Sequence, residues 1–149
     1  MPGLSDILSV LILALIIGLI PGLAFLKSYR SGWLALSRRF RNPAPFPDDA
    51  ITVGPRSLTL YMARWSKYPD MVRIAVSREG ITLSITYTFG IAHPRLFIPW
   101  HETHIARDRR WFQDFTVITL GNSERIPLRI PAHAAHSLNL TPSNPAEPS

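Results

Sequence analysis

The sequence predicts a mainly β-protein, with one N-terminal transmembrane helix followed by a small antiparallel barrel or curled sheet and a short C-terminal helix. Three observations support this fold class. Residues 7–26 carry no charge, residues 71–89 and 115–130 alternate apolar and polar side chains, and residues 131–138 begin at a proline. A long apolar run indicates a membrane helix, a period of two indicates half-buried strands, and proline suits the first turn of a helix.

The first segment, ILSVLILALIIGLIPGLAFL from Ile7 to Leu26, is 20 residues long. At about 1.5 Å per residue, a helix of this length spans roughly 30 Å, the thickness of the hydrocarbon core of a bilayer. A buried core helix would show a polar stripe, which is missing beyond Ser9, and a cleaved signal peptide would have a basic start and an A-x-A site. Residues 1–26 are therefore predicted to be a retained transmembrane anchor.

Positive charge is concentrated directly after this run. Residues 27–41 contain no acid and five basic side chains, namely Lys27, Arg30, Arg38, Arg39 and Arg41, whereas Asp6 is the one charge before the run. Because basic flanks stay in the cytoplasm, we expect a single-pass protein of the cell's inner (plasma) membrane with its N-terminus outside and its C-terminal domain cytoplasmic. Residues 42–149 hold eleven basic and nine acidic side chains, so most of the net charge of +6 lies in the flank. The charge is therefore no argument for a nucleic-acid partner.

Three small residues, Ala14, Gly18 and Gly22, recur at intervals of four and share one face of the predicted helix. Small residues at this spacing let a second helix approach closely in lipid, so this face is a candidate contact with an integral-membrane partner. The alternative is that these residues reflect the ordinary composition of membrane helices. Pro21 removes one backbone donor and is expected to kink the helix near its inner end.

Residues 27–41 are predicted to form a basic juxtamembrane amphipathic helix. Trp33, Leu36 and Phe40 share one helical face, and basic residues occupy the others. This pattern favours a helix in the headgroup layer, whereas the alternative is packing on the following domain. The predicted membrane-interface residues are Lys27, Arg30, Trp33, Arg38, Arg39, Phe40 and Arg41. Residues 42–50 contain NPAPFPDD and are expected to be a stiff, extended linker.

Residues 51–138 are predicted to be a small β-domain. A first hairpin covers residues 71–89, with Gly80 expected to supply a left-handed turn residue. In a second hairpin, Phe115, Val117 and Thr119 are expected to oppose Ile126, Leu128 and Ile130 across the turn at 121–124. Prolines on its second strand favour an edge position. Residues 57–65 and 95–100 are further strand candidates, residues 131–138 a short helix, and residues 139–149 a disordered tail.

The stretch IPWHETHI, from Ile98 to Ile105, is the strongest candidate for a metal or acid–base site. Its histidines, His101 and His104, are one residue closer than the H-E-x-x-H spacing of zinc proteases requires, and on a strand they would point to opposite faces. We therefore expect a strand that bends after Trp100, with neither metal nor cofactor. His133 and His136 are expected to be a solvated pair. The absence of cysteine excludes disulfides, thiolate metal sites and a cysteine nucleophile.

A second candidate site is ARDRRWFQD, residues 106–114, in which arginines lie beside two aromatic residues. This cluster is either a contact for anionic headgroups or an acidic partner, or a solvated turn whose charge Asp108 and Asp114 partly neutralise. The possible contact residues are Arg107, Arg109, Arg110 and Trp111.

The segments REGITLSITYTF and HPRLFIPW, followed by two strands and a helix, resemble the pleckstrin-homology-like (GRAM-like) barrels of bacteria. With GWLALSRRFR after a membrane helix, the chain also resembles bacterial single-pass membrane proteins that carry such a domain. The resemblance covers most of residues 28–138 and implies a small barrel, with a lipid or peptide groove in some members and no catalytic residues to carry over. The chain departs from the pattern at Thr103, where an aliphatic residue is usual.

The sequence thus predicts a non-enzymatic, membrane-anchored accessory or scaffold subunit that packs on a larger membrane protein complex through its helix and β-domain. The alternative is a binder of anionic lipid headgroups at the inner membrane surface. An enzyme with a histidine site is a third hypothesis, which no mechanistic spacing supports.

Overall fold

A computed structural model describes residues 3–54, 58–86, 92–110 and 112–140, without the side chains of Arg64 and Arg110. Within these residues, two helices precede nine strands, and a third helix follows them. The helices are α1 (Leu4–Ser31), α2 (Trp33–Phe40) and α3 (Ala132–Ser137). The strands are β1 (Ile51–Val53), β2 (Thr59–Met62), β3 (Ser66–Pro69), β4 (Val72–Val76), β5 (Gly80–Ile85), β6 (Leu96–Pro99), β7 (Thr103–Arg110), β8 (Gln113–Leu120) and β9 (Ile126–Pro131). Short 3-10 turns cover Ala63–Trp65 and Trp100–Glu102.

The strands form two antiparallel sheets, as the alternating sequence pattern predicts. One sheet has the order β1-β4-β5-β6 and the other β3-β2-β9-β8-β7. The inner faces of both sheets enclose one apolar core, to which α2 and α3 also contribute side chains. Two sheets and two helices therefore share a single buried interior.

Helix α1 is long and apolar enough to cross a membrane, as the sequence predicts. Only 6% of its most apolar window is buried against the rest of the protein, which is unlike a core helix. It continues through Pro21 and beyond the predicted end at residue 26. It stops at Gly32, whose φ of 81° is left-handed and whose N–H is donated to the carbonyl of Tyr29 at 3.2 Å. The predicted segment 27–41 is therefore divided between two helices.

Helix α2 packs on the β-domain. Trp33 and Leu36 are fully buried in the core and Phe40 nearly so. The prediction that Trp33 and Phe40 lie in the headgroup layer is therefore wrong. The apolar face of α2 packs into the core beside β6, because doing so removes these large side chains from water.

The proline-rich stretch after α2 is held against the sheet by specific contacts. The N–H of Asn42 is donated to the carbonyl of Arg95 at 2.9 Å, and Arg95 in turn donates to the carbonyl of Ala44. The guanidinium of Arg95 lies 4.6 Å from the centre of the Phe46 ring. Residues 42–50 form neither helix nor strand, and they end in a turn in which the N–H of Ala50 is donated to the carbonyl of Pro47 at 3.1 Å.

The first predicted hairpin is confirmed by the β4–β5 pairing, in which Ile74 faces Leu83. Gly80 does not have the positive φ that was expected of it. A Cβ at this position would lie 2.3 Å from the carbonyl oxygen of Ile98, so the glycine permits close approach of β6. Tyr87 and Phe89, which were predicted to continue the second strand, lie outside the described residues.

The second hairpin forms with a different register from the predicted one. Ile118 faces Leu128 and Leu120 faces Ile126, so the alternation is shifted by one residue. The turn causes this shift, because Gly121 and Arg125 both adopt positive φ and the turn is one residue longer than expected. Strand β9 is also central, not an edge strand.

The prolines of β9 are compatible with this central position because its pairing to β2 is confined to Tyr61 and Arg129. Pro127 and Pro131 flank that contact and need to donate no hydrogen bond to it.

The C-terminal helix is confirmed, with Pro131 immediately before its first residue. Leu138 and Leu140 are buried beyond it, so the ordered chain continues past residue 139, where the tail was expected to begin. Residues 141–149 lie outside the described part of the chain.

Candidate functional site

The last turns of α1 form a junction with the β-domain. Ala24, Ser28 and Ser31 are the buried residues of α1, and their spacing places them on one helical face. Within the described part of the chain, α1 makes its main contacts with α2, the turn Ala63–Trp65 and β3. The same helix thus has an uncovered apolar part and a covered C-terminal part.

A chain of buried polar groups fixes this junction. The hydroxyl of Tyr68, in β3, donates to Ser31 Oγ at 2.7 Å and lies 3.0 Å from Nε2 of His93. Ser31 Oγ donates to the carbonyl of Ser28 at 3.2 Å. Trp33 Nε1 donates to the carbonyl of Pro94 at 2.9 Å. Buried polar groups are expensive unless paired, so these bonds select one arrangement of α1 on the domain.

Burial raises the pKa of Tyr68 to about 12, against the smaller, opposing effect of its hydrogen bond to Ser31. The ammonium group of Lys27 lies over the Tyr68 ring, 4.4 Å from the ring centre. Ser31, Tyr68 and His93 are all inaccessible to solvent. The arrangement is therefore suited to fixing the rotation and tilt of α1, and it offers no surface on which a substrate could bind.

The geometry of IPWHETHI agrees with a strand that bends. The turn Trp100–Glu102 separates β6 from β7, and His101 and His104 are both exposed. Glu102 is buried, as are the core residues Ile98 and Ile105 at the two ends of this stretch. It accepts a hydrogen bond from the N–H of Asn122 at 2.8 Å and forms a salt bridge with Arg39 of α2.

These contacts give Glu102 a structural role. The Asn122 N–H is the main cause that lowers the pKa of Glu102, and the charge of Arg39 adds to it. Arg39 also reaches Glu124 at 3.4 Å, so one guanidinium links α2 to two turns.

His133 and His136 are exposed on α3. In the described part of the chain, no group of three or more His, Asp or Glu side chains is arranged to hold a metal ion.

The predicted helix-packing residues, Ala14, Gly18 and Gly22, are all exposed on α1. Open space lies beyond the Cα atoms of Gly18 and Gly22, where an added Cβ would meet nothing within 4 Å. They occupy a different face from the buried residues of the junction. The small face is therefore uncovered by the described residues of this chain.

Of the predicted membrane-interface residues, those with basic side chains remain accessible. Arg30, Arg38, Arg39 and Arg41 are exposed, and Lys27 is half-buried beside Tyr68. Trp33 and Phe40, in contrast, belong to the core. The basic side chains of this flank are thus accessible to solvent, whereas its apolar side chains are buried.

The arginine cluster lies on the β7–β8 hairpin. Arg107 and Arg109 line a cavity of about 600 Å³ together with Asp108, Asp114 and His136. Arg109 is 3.7 Å from Asp114, and both are largely exposed. The side chain of Arg110 is not described, and Trp111 lies outside the described residues.

The residues of the junction were missed by the sequence reasoning. Ala24, Ser28 and Ser31 form a stripe of small residues at intervals of four and three, on both sides of Lys27. Small residues let another element approach a helix closely, so this stripe was an available signal for a covered helical face. Nothing local distinguishes Tyr68 or His93, because their burial depends on which elements meet.

Comparison of the chain with protein-family models, with curated proteins and with solved structures gives no match. The fold and the junction are therefore the basis on which a function is proposed.

Proposed function

We propose that this chain is a non-enzymatic, membrane-anchored accessory or scaffold subunit that packs on a larger membrane protein complex. Helix α1 crosses the bilayer with its N-terminus outside, and the β-domain, with a pleckstrin-homology-like fold, lies on the cytoplasmic side. The partner is an integral-membrane protein that contacts the small face of α1 and the domain beside it.

The observation that carries this proposal is the continuity of α1 across the junction. Its last turns are locked to the domain by Ser31 and Tyr68, whereas Gly18 and Gly22 remain uncovered on a different face. A helix fixed in this way presents its small face at a set angle relative to the domain. A partner can then contact both without ordering a flexible linker, which lowers the entropic cost of binding.

The proposal is tested by purifying the tagged full-length chain from its own cells in mild detergent. We expect it to migrate in a complex much larger than the chain. Gly18→Ile with Gly22→Ile should release it, because added side chains prevent close helix approach.

The matched control is Ile16→Phe with Ile20→Phe, which adds volume at the same spacing about 180° around the helix. Both control positions are exposed in the chain. We expect this variant to stay in the complex. Migration of the unaltered chain by itself, or equal effects of the two variants, would reject the proposal.

A second candidate function is binding of anionic lipid headgroups, and the cavity beside Arg107 and Arg109 favours it. The test needs the full-length chain in nanodiscs, because a fragment starting at residue 42 lacks the core residues of α2. Under this candidate, anionic lipid raises the melting temperature, and Arg107→Gln with Arg109→Gln removes that increase. The exposed pair Arg78→Gln with Arg125→Gln serves as the control. A melting temperature that does not change with lipid charge would reject the headgroup-binding function.

A further inference from the structure

We propose that the turn Ala63–Trp65 and the start of β3 contact the headgroup layer of the bilayer that α1 crosses, with Trp65 as the interfacial anchor. This inference rests on the proposed membrane-spanning role of α1. It places the lipid contact of the β-domain on a surface that the sequence did not indicate.

The first argument concerns depth. The uncharged run ends at Leu26, so Lys27 marks the edge of the hydrocarbon core. Ala24 is three residues earlier, about 4.5 Å along the helix, and it is already buried. The headgroup layer of one leaflet is only about 5–7 Å thick. Ser31, the last buried residue of α1, lies about 6 Å beyond Lys27, so the contact zone from Ala24 to Ser31 straddles the edge of the core and extends into the headgroup layer. The parts of the domain that contact α1 beyond Lys27 therefore lie at headgroup depth.

The second argument identifies those parts. Among the strands and turns, α1 makes its main contacts with the turn Ala63–Trp65 and with β3. Lys27 and Ser31 both reach Tyr68 of β3. The β7–β8 hairpin, which carries the predicted arginine cluster, is not one of the main contacts of α1.

The third argument is the chemistry of this surface. Trp65 is 39% exposed and has a positive φ of 59°. The rings of Tyr61 and Phe115 meet its ring edge-to-face, and the guanidinium of Arg129 lies 4.5 Å from its centre. The ring is therefore held in place while part of it faces outward. Tryptophan favours the membrane–water interface because its ring is apolar and its N–H is polar.

Exposed basic residues lie on the elements next to Trp65. Lys67, which pairs with Tyr61 across β2 and β3, is exposed, and Arg30 is exposed on the adjoining helix. Near an anionic surface such residues are attracted to the lipid headgroups. The surface thus combines an aromatic anchor with positive charge, as interfacial segments do.

Phe112 is the other strongly exposed aromatic residue in the described part of the β-domain, at 100%. It follows β7 at the tip of the hairpin and provides the competing location for a lipid contact. The chain contains no cysteine, so single-cysteine variants of the full-length protein can be labelled without background. This makes the two locations directly comparable.

The experiment attaches a fluorophore at position 65, 67, 112 or 15 through Trp65→Cys, Lys67→Cys, Phe112→Cys and Leu15→Cys. Each protein is placed in nanodiscs that contain lipids with a quencher in the headgroup or in the acyl chain. We expect acyl-chain quenching at 15, headgroup quenching at 65 and 67, and several-fold weaker quenching at 112. Lys67→Cys retains Trp65, so it reports on this surface with the anchor intact.

The outcomes separate the two proposals. Quenching at 15 with none at 65 and 67 would overturn this inference and leave the membrane-spanning role of α1 in place. Quenching at 112 in place of 65 and 67 would assign the contact to the hairpin. No quenching at 15 would overturn the membrane-spanning role of α1 and, with it, the lipid contact of Trp65.

Discussion

Ser31, Tyr68 and His93, at the junction between α1 and the domain, are polar and buried, and the Tyr68 hydroxyl lies within hydrogen-bond distance of the other two side chains. Tyr68 has partners on both sides of its hydroxyl, in α1 and in the segment that precedes β6. Glu102 occupies an equivalent position between α2 and the turn that follows β8. Because both groups titrate, their environments make stability depend on pH in opposite directions.

For Tyr68 the folded-state pKa is about 12, above the ordinary value of 10.0. The unfolded chain therefore loses its proton first, and the stabilisation present below pH 10 is lost as the pH rises towards 12. We expect Tyr68→Phe to lower the free energy of unfolding at neutral pH by about 1–3 kcal/mol, because Ser31 and His93 lose a buried partner.

The measurement is denaturant unfolding in mild detergent, at neutral pH and at alkaline pH. The fall in stability between pH 10 and pH 12 should be smaller in Tyr68→Phe than in the unaltered chain. Tyr29→Phe is the control, because Tyr29 is 72% exposed. An equal fall in all three proteins would contradict the assignment.

For Glu102 the sign is reversed. Its folded-state pKa is lowered, so its contribution is present above the ordinary value of 4.5 and is lost as the pH falls below it. We expect Glu102→Gln to lower the melting temperature at neutral pH, and the difference from the unaltered chain to shrink below about pH 4. The exposed Glu79→Gln should show no such difference. If the melting temperature of Glu102→Gln is lower than that of the unaltered chain by the same amount at every pH, the loss comes from packing and not from the charge of Glu102.

At the scale of elements, the break between α1 and α2 decides how the long apolar helix meets the domain. Gly32 has a φ of 81°, and a Cβ there would lie 2.6 Å from Cδ1 of Ile126. The conformation favours glycine, because it costs an L-residue about 1–2 kcal/mol, and a Cβ would in addition force the side chain of Ile126 to move. The turn directs Trp33 into the core.

We therefore expect Gly32→Ala to destabilise the protein by at least about 1–2 kcal/mol, measured by thermal unfolding in detergent. Adding Ile126→Val removes the nearest clashing atom and should recover part of the loss. Gly18→Ala, at an open position in α1, should cost nothing. Full stability in Gly32→Ala would mean that the break is not fixed by this residue.

Among the elements, the sequence predicted α1, β2, the β4–β5 hairpin, β6, β8, β9 and α3 from periodicity and turn residues. It placed the apolar face of α2 at the lipid surface, because Trp33, Leu36 and Phe40 beside arginines suit a headgroup layer as well as a core. It misjudged the register of β8, since Phe115 begins an alternation that the longer turn at Gly121 displaces. Local pattern specifies a face but not what covers it.

For the whole molecule, the proposed topology makes one prediction. Because five basic residues follow the apolar run and none precedes it, protease added outside intact cells should leave the β-domain uncut. Permeabilised cells are the control, in which the domain should become accessible. Immunoblotting of a C-terminal tag distinguishes the intact β-domain from the cleaved one. Cleavage in intact cells would contradict the orientation.

The sequence by itself determined that a 20-residue apolar segment precedes an antiparallel β-domain, because length, charge and a period of two are local properties. Only the tertiary structure decided that α1 continues into a buried junction at Ser31, Tyr68 and His93, and that Trp65 is held outward beside it. Residues far apart in the chain meet there, and their burial depends on how helices and sheets share one core.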